Sequence, residues 1–401
     1  MVLIETFFLI YEIYLILIKK GKNVMPVLLS YFFLIQFLLV IGLNAQNNIS
    51  KNNQIKDLKE EIIFGQSAIL SGPLELYGSI IKNAINTCFQ RINDEGGINN
   101  KKLRLVSLDD QGDPLKAEKN IDNLKNKGIT MFLGSMGTRS ILKALPRIKS
   151  QEIAMFFPWA GDEQFRSAQV SNLINGPGFL YPQVKSIADH IINNVKHKKI
   201  AIFHADDDFS TQAASDFTKI LQESAIQPII TASYNRFTLD IFKQADKILD
   251  TDPKIVVCIS ATMPAVRLIN RFFKKGHYAT LFFGIDSTLF VSSILKNKGV
   301  NFSYTSPVPD PVINDMPIAK QYIHDFKKYT PKEIPNILSF TYYISAMIIV
   351  EAIKKIDGEV SQKKIIENIE KMNGYDIGGF VVDFDLKTRH AFGNYISLIK
   401  G

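Results

Sequence analysis

In the stretch Phe132-Leu-Gly-Ser-Met-Gly-Thr-Arg-Ser140, small and hydroxyl residues stand between a short apolar run and a helix-like pattern. Thr130 to Leu133 reads as a buried strand. Ile141, Leu142, Ala144 and Leu145 begin a helical pattern expected to end near Pro146. Such a loop joins a strand's carboxyl end to a helix's amino end, where unpaired N–H groups and the helix dipole favour an anion. The Thr138 hydroxyl would add a donor. The plainer reading is an ordinary α/β turn in which Thr138 caps the helix. On this loop alone both readings stay open.

A second cluster, His204-Ala-Asp-Asp-Asp-Phe-Ser210, has residue types suited to acid–base or metal chemistry. The ordinary reading is a solvated loop with Asp residues near a helix start. There is no G-x-G-x-x-G, P-loop, G-x-S-x-G or H-E-x-x-H pattern, so no catalysis and no cofactor are expected. Cys88 and Cys258 both fall on apolar stretches and read as buried small hydrophobes. A disulfide between them stays open, and no metal-ligand spacing is present.

The elements that must position these residues alternate along the chain. With 401 residues, 46% hydrophobic and 21% charged, there is material for two domains. Ile80, Ile81, Ala84, Ile85, Cys88, Phe89 and Ile92 form one helical stripe. Strands are expected at Ile62 to Phe64, Leu103 to Leu108, Ile153 to Phe157, Ile200 to Phe203, Ile255 to Ile259 and Leu281 to Phe283. Helices are expected at Leu115 to Lys127, Val184 to Val195, Met263 to Lys275, Ile318 to Lys328 and Ile337 to Ile356. Residues Gly379 to Phe384 and Asn394 to Ile399 read as a terminal hairpin-like pair. Alternation gives parallel sheets, and the number of units exceeds one ordinary sheet, so two lobes are expected. Loops 134–138, 158–163, 204–210, 260–262 and 284–287 all follow strands, where open α/β sheets bind ligands. The net charge of +8 comes from scattered lysines with no long basic run, which gives no sign of nucleic-acid binding.

The first 45 residues read as an apolar leader. Lys19-Lys-Gly-Lys22 precedes the 17-residue apolar run Val27 to Leu43, and Leu43-Asn-Ala45 follows its end. From Met25 this has the layout of a secretory signal. A retained anchor is the alternative, short for a membrane span. Either reading puts residues 46 onward outside the cytoplasm. Residues 46–61 read as a polar linker.

At this point a family becomes visible. Ser71-Gly-Pro-Leu-Glu-Leu-Tyr-Gly78, Asn93-Asp-Glu-Gly-Gly-Ile98 and Leu108-Asp-Asp-Gln-Gly-Asp-Pro114 resemble the opening of the Leu/Ile/Val-binding protein family, the type I periplasmic substrate-binding proteins of ABC transporters. The resemblance continues through Gly134-Ser-Met-Gly-Thr138 and Pro158-Trp-Ala-Gly-Asp-Glu-Gln-Phe-Arg166 and covers residues 62–401. It implies an α/β type I periplasmic-binding-protein fold, two Rossmann-like parallel-sheet lobes joined by three crossovers near residues 180, 305 and 379. Residues 62–180 and 306–379 would form one lobe, and 181–305 and 380–401 the other. It also implies a small-molecule ligand, amino acid-like, closed between the lobes and passed to an ABC transporter membrane permease. Tyr77 would line the pocket. Met136, Gly137 and Thr138 would meet the ligand carboxylate. Trp159, Ala160 and Gly161 would offer backbone groups and an aromatic wall. Ser260 and Ala261 stand where an aromatic wall residue is often found, and Asp286 where an acidic residue binds the ligand ammonium.

Elementary physics agrees with that division, because a buried zwitterion needs donors at one end and an acceptor at the other. Plain readings exist for each residue. Asp286 would cap a helix over 287–297, Trp159 would pack in the core, and Tyr77 would be an exposed residue before a helix. Residues 175–181 lack the arginine and acidic residue expected near the crossover, with Tyr181 as a possible substitute contact. Ala261 removes an expected aromatic, so the ligand need not be a branched-chain amino acid. A membrane-tethered sensor using the same lobes is the rival to a transport receptor. An enzyme is a weaker one.

Overall fold

The apolar stripe from Ile80 to Ile92 is buried along one face of a 20-residue helix, and that helix fixes the entry to the first lobe. The computed structural model describes residues 61–72, 74–176, 179–236, 240–392 and 397–400. The expected leader (residues 1–45) and most of the expected linker lie outside the described residues. Glu61, assigned above to the linker, instead opens the first strand.

In the first lobe, β1 (Glu61–Ala68), α1 (Glu75–Asp94), β2 (Lys102–Asp109), α2 (Pro114–Lys125), β3 (Met131–Leu133), α3 (Thr138–Lys149), β4 (Ala154–Phe156) and β5 (Leu173–Ile174) follow one another. The strands lie in the order β2-β1-β3-β4-β5. The second lobe is built from α4 (Leu180–Asn194), β6 (Ile200–Ala205), α5 (Asp208–Glu223), β7 (Ile230–Tyr234), α6 (Phe242–Leu249), β8 (Ile255–Ile259), α7 (Thr262–Lys274), β9 (Leu281–Gly284), α8 (Val291–Leu295) and β10 (Phe302–Ser306). The chain then returns to the first lobe through α9 (Pro317–Tyr329), α10 (Ile337–Lys354), α11 (Gln362–Ile369), β11 (Tyr375–Asp376) and β12 (Val381–Val382) before β13 (Ser397–Lys400). The second sheet runs β13-β10-β9-β8-β6-β7, parallel except for β13, which pairs antiparallel with β10. In each sheet the strand order reverses beside the first strand of the lobe, between β1 and β3 and between β6 and β8. Those reversals open the crevices where α/β sheets hold ligands.

Three local expectations differ from the structure. Pro146 lies inside α3, which continues to Lys149. The ring removes one backbone donor, but Ile141, Ala144, Leu145 and Ile148 still bury a common face, and this holds the helix through the missing bond. The two C-terminal segments do not pair with each other. β12 pairs with β11, and β13 with β10. The third crossing also lies later than residue 379. Residues 380–392 remain tied to the first lobe, with Phe384 N–H donating to Met372 O (2.8 Å), Asn175 N–H to Arg389 O (2.7 Å) and Ala391 N–H to Asn175 O (3.2 Å). Asn175, at the end of β5, thus holds this segment on both sides, and the second sheet is reached only at Ser397.

α10 is apolar all round and packs on α1. It is long and apolar enough to cross a membrane, yet 83% of it is buried in the fold, as befits a lobe's central helix. Cys88 and Cys258 are both free and buried, one in each lobe.

Candidate ligand-binding cleft

The pocket forms beyond the carboxyl ends of β4, β9 and β10, beside the start of α10. Gly78 lets α1 start against the end of β1, since a Cβ there would lie 1.9 Å from Ile69 O. That close approach puts Tyr77 at the mouth of the crevice, 5% exposed. Its hydroxyl donates to Ser287 O (3.0 Å) and accepts from Thr262 N–H (3.4 Å), both in the second lobe. Its ring lies 5.0 Å from that of Trp159, tilted by 34°, and 5.9 Å from Phe290. The Thr262 hydroxyl also donates to Ser287 O (3.0 Å). The lobes therefore meet through a polar contact set in an aromatic surround. Burial pushes the Tyr77 phenol up, an effect opposed by its Thr262 bonds.

Trp159 follows β4 in a loop that closes on the loop after β3. Met136 and Trp159 form a parallel bridge. Met136 N–H donates to Ser67 O (3.1 Å), Gly137 N–H to Trp159 O (3.1 Å), and Trp159 N–H to Ser135 O (2.8 Å). Gly161 N–H reaches the Thr138 hydroxyl oxygen at 3.3 Å. Four amides expected near an anion are thus used between the loops. Gly137, at φ +103°, is the residue before the helix; Thr138 is its first helical residue and makes no capping bond, so the Thr-cap reading is overturned. The first intrahelical bond is Ile141 N–H to Gly137 O, which leaves the Thr138, Arg139 and Ser140 amides ahead of the ladder. Ala160 is buried between Trp159 and Gly161.

The second lobe supplies the facing wall. Ser260 Oγ bonds the Ala261 carbonyl (3.1 Å), and Ser287 Oγ donates to Ser260 O (3.0 Å). Ala261 is the residue preceding α7. Asp286 is 9% exposed and starts a 3-10 turn, Asp286–Thr288; the following helix is only the five residues of α8. The long helix expected over 287–297 is therefore absent, and with it the plain role for Asp286 as its cap. Asp286 N–H donates to Gln183 Oε1 (2.8 Å), which also accepts from Thr305 Oγ1 (2.7 Å). Burial pushes the Asp286 carboxyl up to about 6, against the Ser287 N–H and Gln183, which stabilise its charge.

Between these walls lies a narrow pocket. Trp159 faces Asp286 and Leu289 across it, and Pro307 and the first turns of α10, at Ile337, Leu338 and Thr341, close its side. Of the expected site residues, Trp159 and Asp286 line this pocket; Tyr77 packs beside Trp159, and Met136, Gly137, Thr138, Ala160, Gly161, Ser260 and Ala261 do not line it. Tyr181 is 44% exposed on the first turn of α4 and is not part of the pocket wall. The contributions of Leu289, Phe290 and α10 escaped sequence reasoning. For α10 a signal existed, because Asn336 and Ser339 form a reciprocal capping box that marks its start. The His204 cluster resolves into loop bonding. His204 is buried against the Ala205 carbonyl, Asp206 accepts from Arg236 N–H, and Asp207 caps α5. Among the described residues no group of three His, Cys, Asp or Glu is placed to hold a metal ion.

Two doubly wound sheets with a pocket beyond the carboxyl ends of their strands define a bilobal, cleft-bearing protein. The chain belongs to the periplasmic binding protein family, whose model matches residues 61–398. Leu/Ile/Val-binding protein homolog 3 of Brucella melitensis is 24% identical over 169 residues, 42% of this chain and 46% of that protein. The match thus spans about half the length of this curated relative. Among solved structures, a possible leucine/isoleucine/valine-binding protein from Rhodopirellula baltica superposes with a TM-score of 0.76 at 21% identity, covering 85% of this chain and 94% of that one. A branched-chain amino acid ABC transporter protein from Thermus thermophilus with bound valine gives 0.75 at 16% identity, covering 85% and 93%. At these identities the likeness establishes the type I fold.

Proposed function

We propose that this chain is an extracytoplasmic solute-binding protein that closes its lobes on a small polar ligand, an amino acid or related compound, and delivers it to an ABC transporter permease. The observation that carries this reading is the Tyr77 hydroxyl, bonded to Thr262 and Ser287 of the opposite lobe at the edge of a pocket walled by Trp159 and Asp286. A ligand touching both walls stabilises the closed form through its differential affinity for it. In this reading Tyr77, Trp159 and Asp286 touch the ligand and Thr138 stands at the pocket's edge. Met136, Gly137, Ala160 and Gly161 shape the first-lobe loops, and Ser260 and Ala261 shape the facing wall. The names of the Brucella and Thermus proteins, and the valine in the latter, support an amino acid-like ligand. The leader, read as a secretory signal, supports a location outside the cytoplasm.

A thermal-shift screen against amino acids, amines, amides, small carboxylates and sugars tests the reading, since a ligand that binds the folded form raises Tm by mass action. One chemical class giving a concentration-dependent rise supports it. No rise from any class counts against a receptor.

A further inference from the structure

We propose that Gln183 is a positioning residue for lobe closure: its buried amide clamps the pocket turn Asp286–Thr288 to the crossings between the lobes, so that turn and crossings move as one piece when a guest is gripped. The inference rests on the receptor reading above and adds to it a residue that acts through others.

The amide has one orientation. Gln183 is 1% exposed, on the first turn of α4. Its Oε1 accepts from Asp286 N–H (2.8 Å) and from Thr305 Oγ1 (2.7 Å), and its Nε2 donates to Phe179 O (3.0 Å). A backbone N–H only donates and a backbone carbonyl only accepts, so Asp286 and Phe179 together exclude the flipped amide. Both acceptor sites of the oxygen are filled. Phe179, Thr305 and Asp286 are themselves buried, so a bond lost here is not replaced by bulk water.

The three partners belong to parts that must move together. Phe179 directly precedes α4, where the chain first passes from one lobe to the other. Its ring lies 4.3 Å from the Arg166 guanidinium and 5.9 Å from the His390 ring, both on segments of the first lobe. Thr305 is the last residue but one of β10, two positions before Pro307 of the pocket wall, where the chain returns. It pairs in register with Leu398 of β13, the strand reached by the last crossing.

Asp286 opens the turn that leads to Leu289, and both line the pocket. Thr288 Oγ1 donates to Ile285 O (2.5 Å), which braces the same turn. One side chain thus joins the pocket wall at Asp286 and Leu289 to all three passages of chain between the lobes.

A ligand shifts an open–closed equilibrium only through contacts that differ between the two states, and the hinge residues absorb the change in backbone angles. Contact with the 286–289 wall reaches the hinge through Gln183. Without that link the turn would yield to the ligand while the lobes stayed apart. The plain alternative is an amide that only satisfies its neighbours in the core of the second lobe.

Thr305→Val separates the two readings, because it cuts one arm of the clamp and touches neither the Asp286 nor the Phe179 bond. Hydrogen exchange on the ligand-free full chain is the first measurement. Exchange at the Asp286 amide should speed up about tenfold, the size of one lost hydrogen bond, with Val256 to Cys258 of β8 as protected as in the parent. An amide that only fills its site predicts no change at Asp286. The second measurement uses leucine as the probe, followed by small-angle X-ray scattering and by fluorescence of Trp159, the only tryptophan of the chain. In Thr305→Val, and more so in Gln183→Met, contraction at saturating leucine should be incomplete. Leucine should leave about tenfold faster, with association changed by less than about twofold. Should Gln183→Met fail to fold, Thr305→Val decides alone. Parental exchange at Asp286, or full contraction with a parental dissociation rate, overturns the clamp and leaves the receptor reading standing. If the parent binds no compound of any class, the receptor reading fails, and the exchange at Asp286 still decides whether Gln183 joins turn and crossings.

Discussion

The Tyr77 hydroxyl donates to the Ser287 carbonyl across 210 positions of sequence, 3.0 Å from oxygen to oxygen. It is a direct bond between the lobes beside the pocket. Tyr77→Phe keeps the ring against Trp159 and removes the bond, while Thr262 Oγ1 still serves Ser287 O. The closed form should lose about 1 kcal/mol, so ligand affinity should fall about fivefold with little change in the unfolding midpoint of the ligand-free protein. Titration calorimetry beside thermal denaturation separates the two effects. Unchanged affinity would remove Tyr77 from the closing contact.

Asp286 gives stability a pH dependence of definite sign. Its carboxyl is raised from 3.8 to about 6 by burial, so the folded chain holds this proton at pH values where the unfolded chain has released it. Stability is therefore expected to fall as pH rises from about 4 to about 6, and the loss is complete above about 6. Asp286→Asn should be more stable than the parent at pH 8, by at most about 3 kcal/mol, and equal to it near pH 4. Urea unfolding at pH 4, 6 and 8 checks this. A variant less stable than the parent at pH 8 would contradict the burial argument.

Gly78 is a backbone prediction. A methyl group there would meet the Ile69 carbonyl at 1.9 Å, and neither helix α1 nor strand β1 has a flexible end to give way. Gly78→Ala should cost about 3 kcal/mol or more and displace Tyr77 as it does so. Circular dichroism melting tests it, and a loss below about 1 kcal/mol would show that the helix start can shift to make room.

Thr138 holds Gly161 N–H through its hydroxyl oxygen at 3.3 Å. Thr138→Ala should lower stability by about 1 kcal/mol and speed hydrogen exchange at Gly161, whereas Thr138→Ser should restore both. Protection at Gly161 that survives the alanine change would show that this bond does not hold the loop.

Arg389 is 1% exposed, pairs with Glu370, and donates to the carbonyls of Leu173 (3.3 Å) and Ser171 (2.6 Å). Arg389→Met would leave those carbonyls and a half-buried carboxylate without their donor. The expected cost is about 3–5 kcal/mol, measured by urea denaturation. A loss below about 1 kcal/mol would show that the segment through residue 392 is held by its backbone bonds alone.

What could be read from the sequence was whatever depends on short-range spacing. The α1 stripe, the buried strands and the two-lobe alternation follow from side-chain periodicity, because each element must bury one face. Tyr77 and Trp159, which pack against each other, stand within motifs that the sequence displays. Partner choice was not accessible. Whether the Gly137 amide meets a ligand or the Trp159 carbonyl depends on how two loops settle, and no local pattern encodes that. The same holds for β12 and β13. They look like a hairpin in sequence, but Asn175 captures the segment between them. The passage of α3 through Pro146 shows tertiary burial outweighing local propensity.

The two cysteines have a practical consequence. Cys88 sits in the first lobe and Cys258 in the second; both are fully buried, and burial pushes both thiols up to about 12. Neither reacts until its surroundings open. Each is therefore a natural timer for its own half of the molecule. Alkylation counted by mass spectrometry, with each cysteine replaced in turn, would report whether the halves come apart together or one before the other, and which of them a bound guest holds shut.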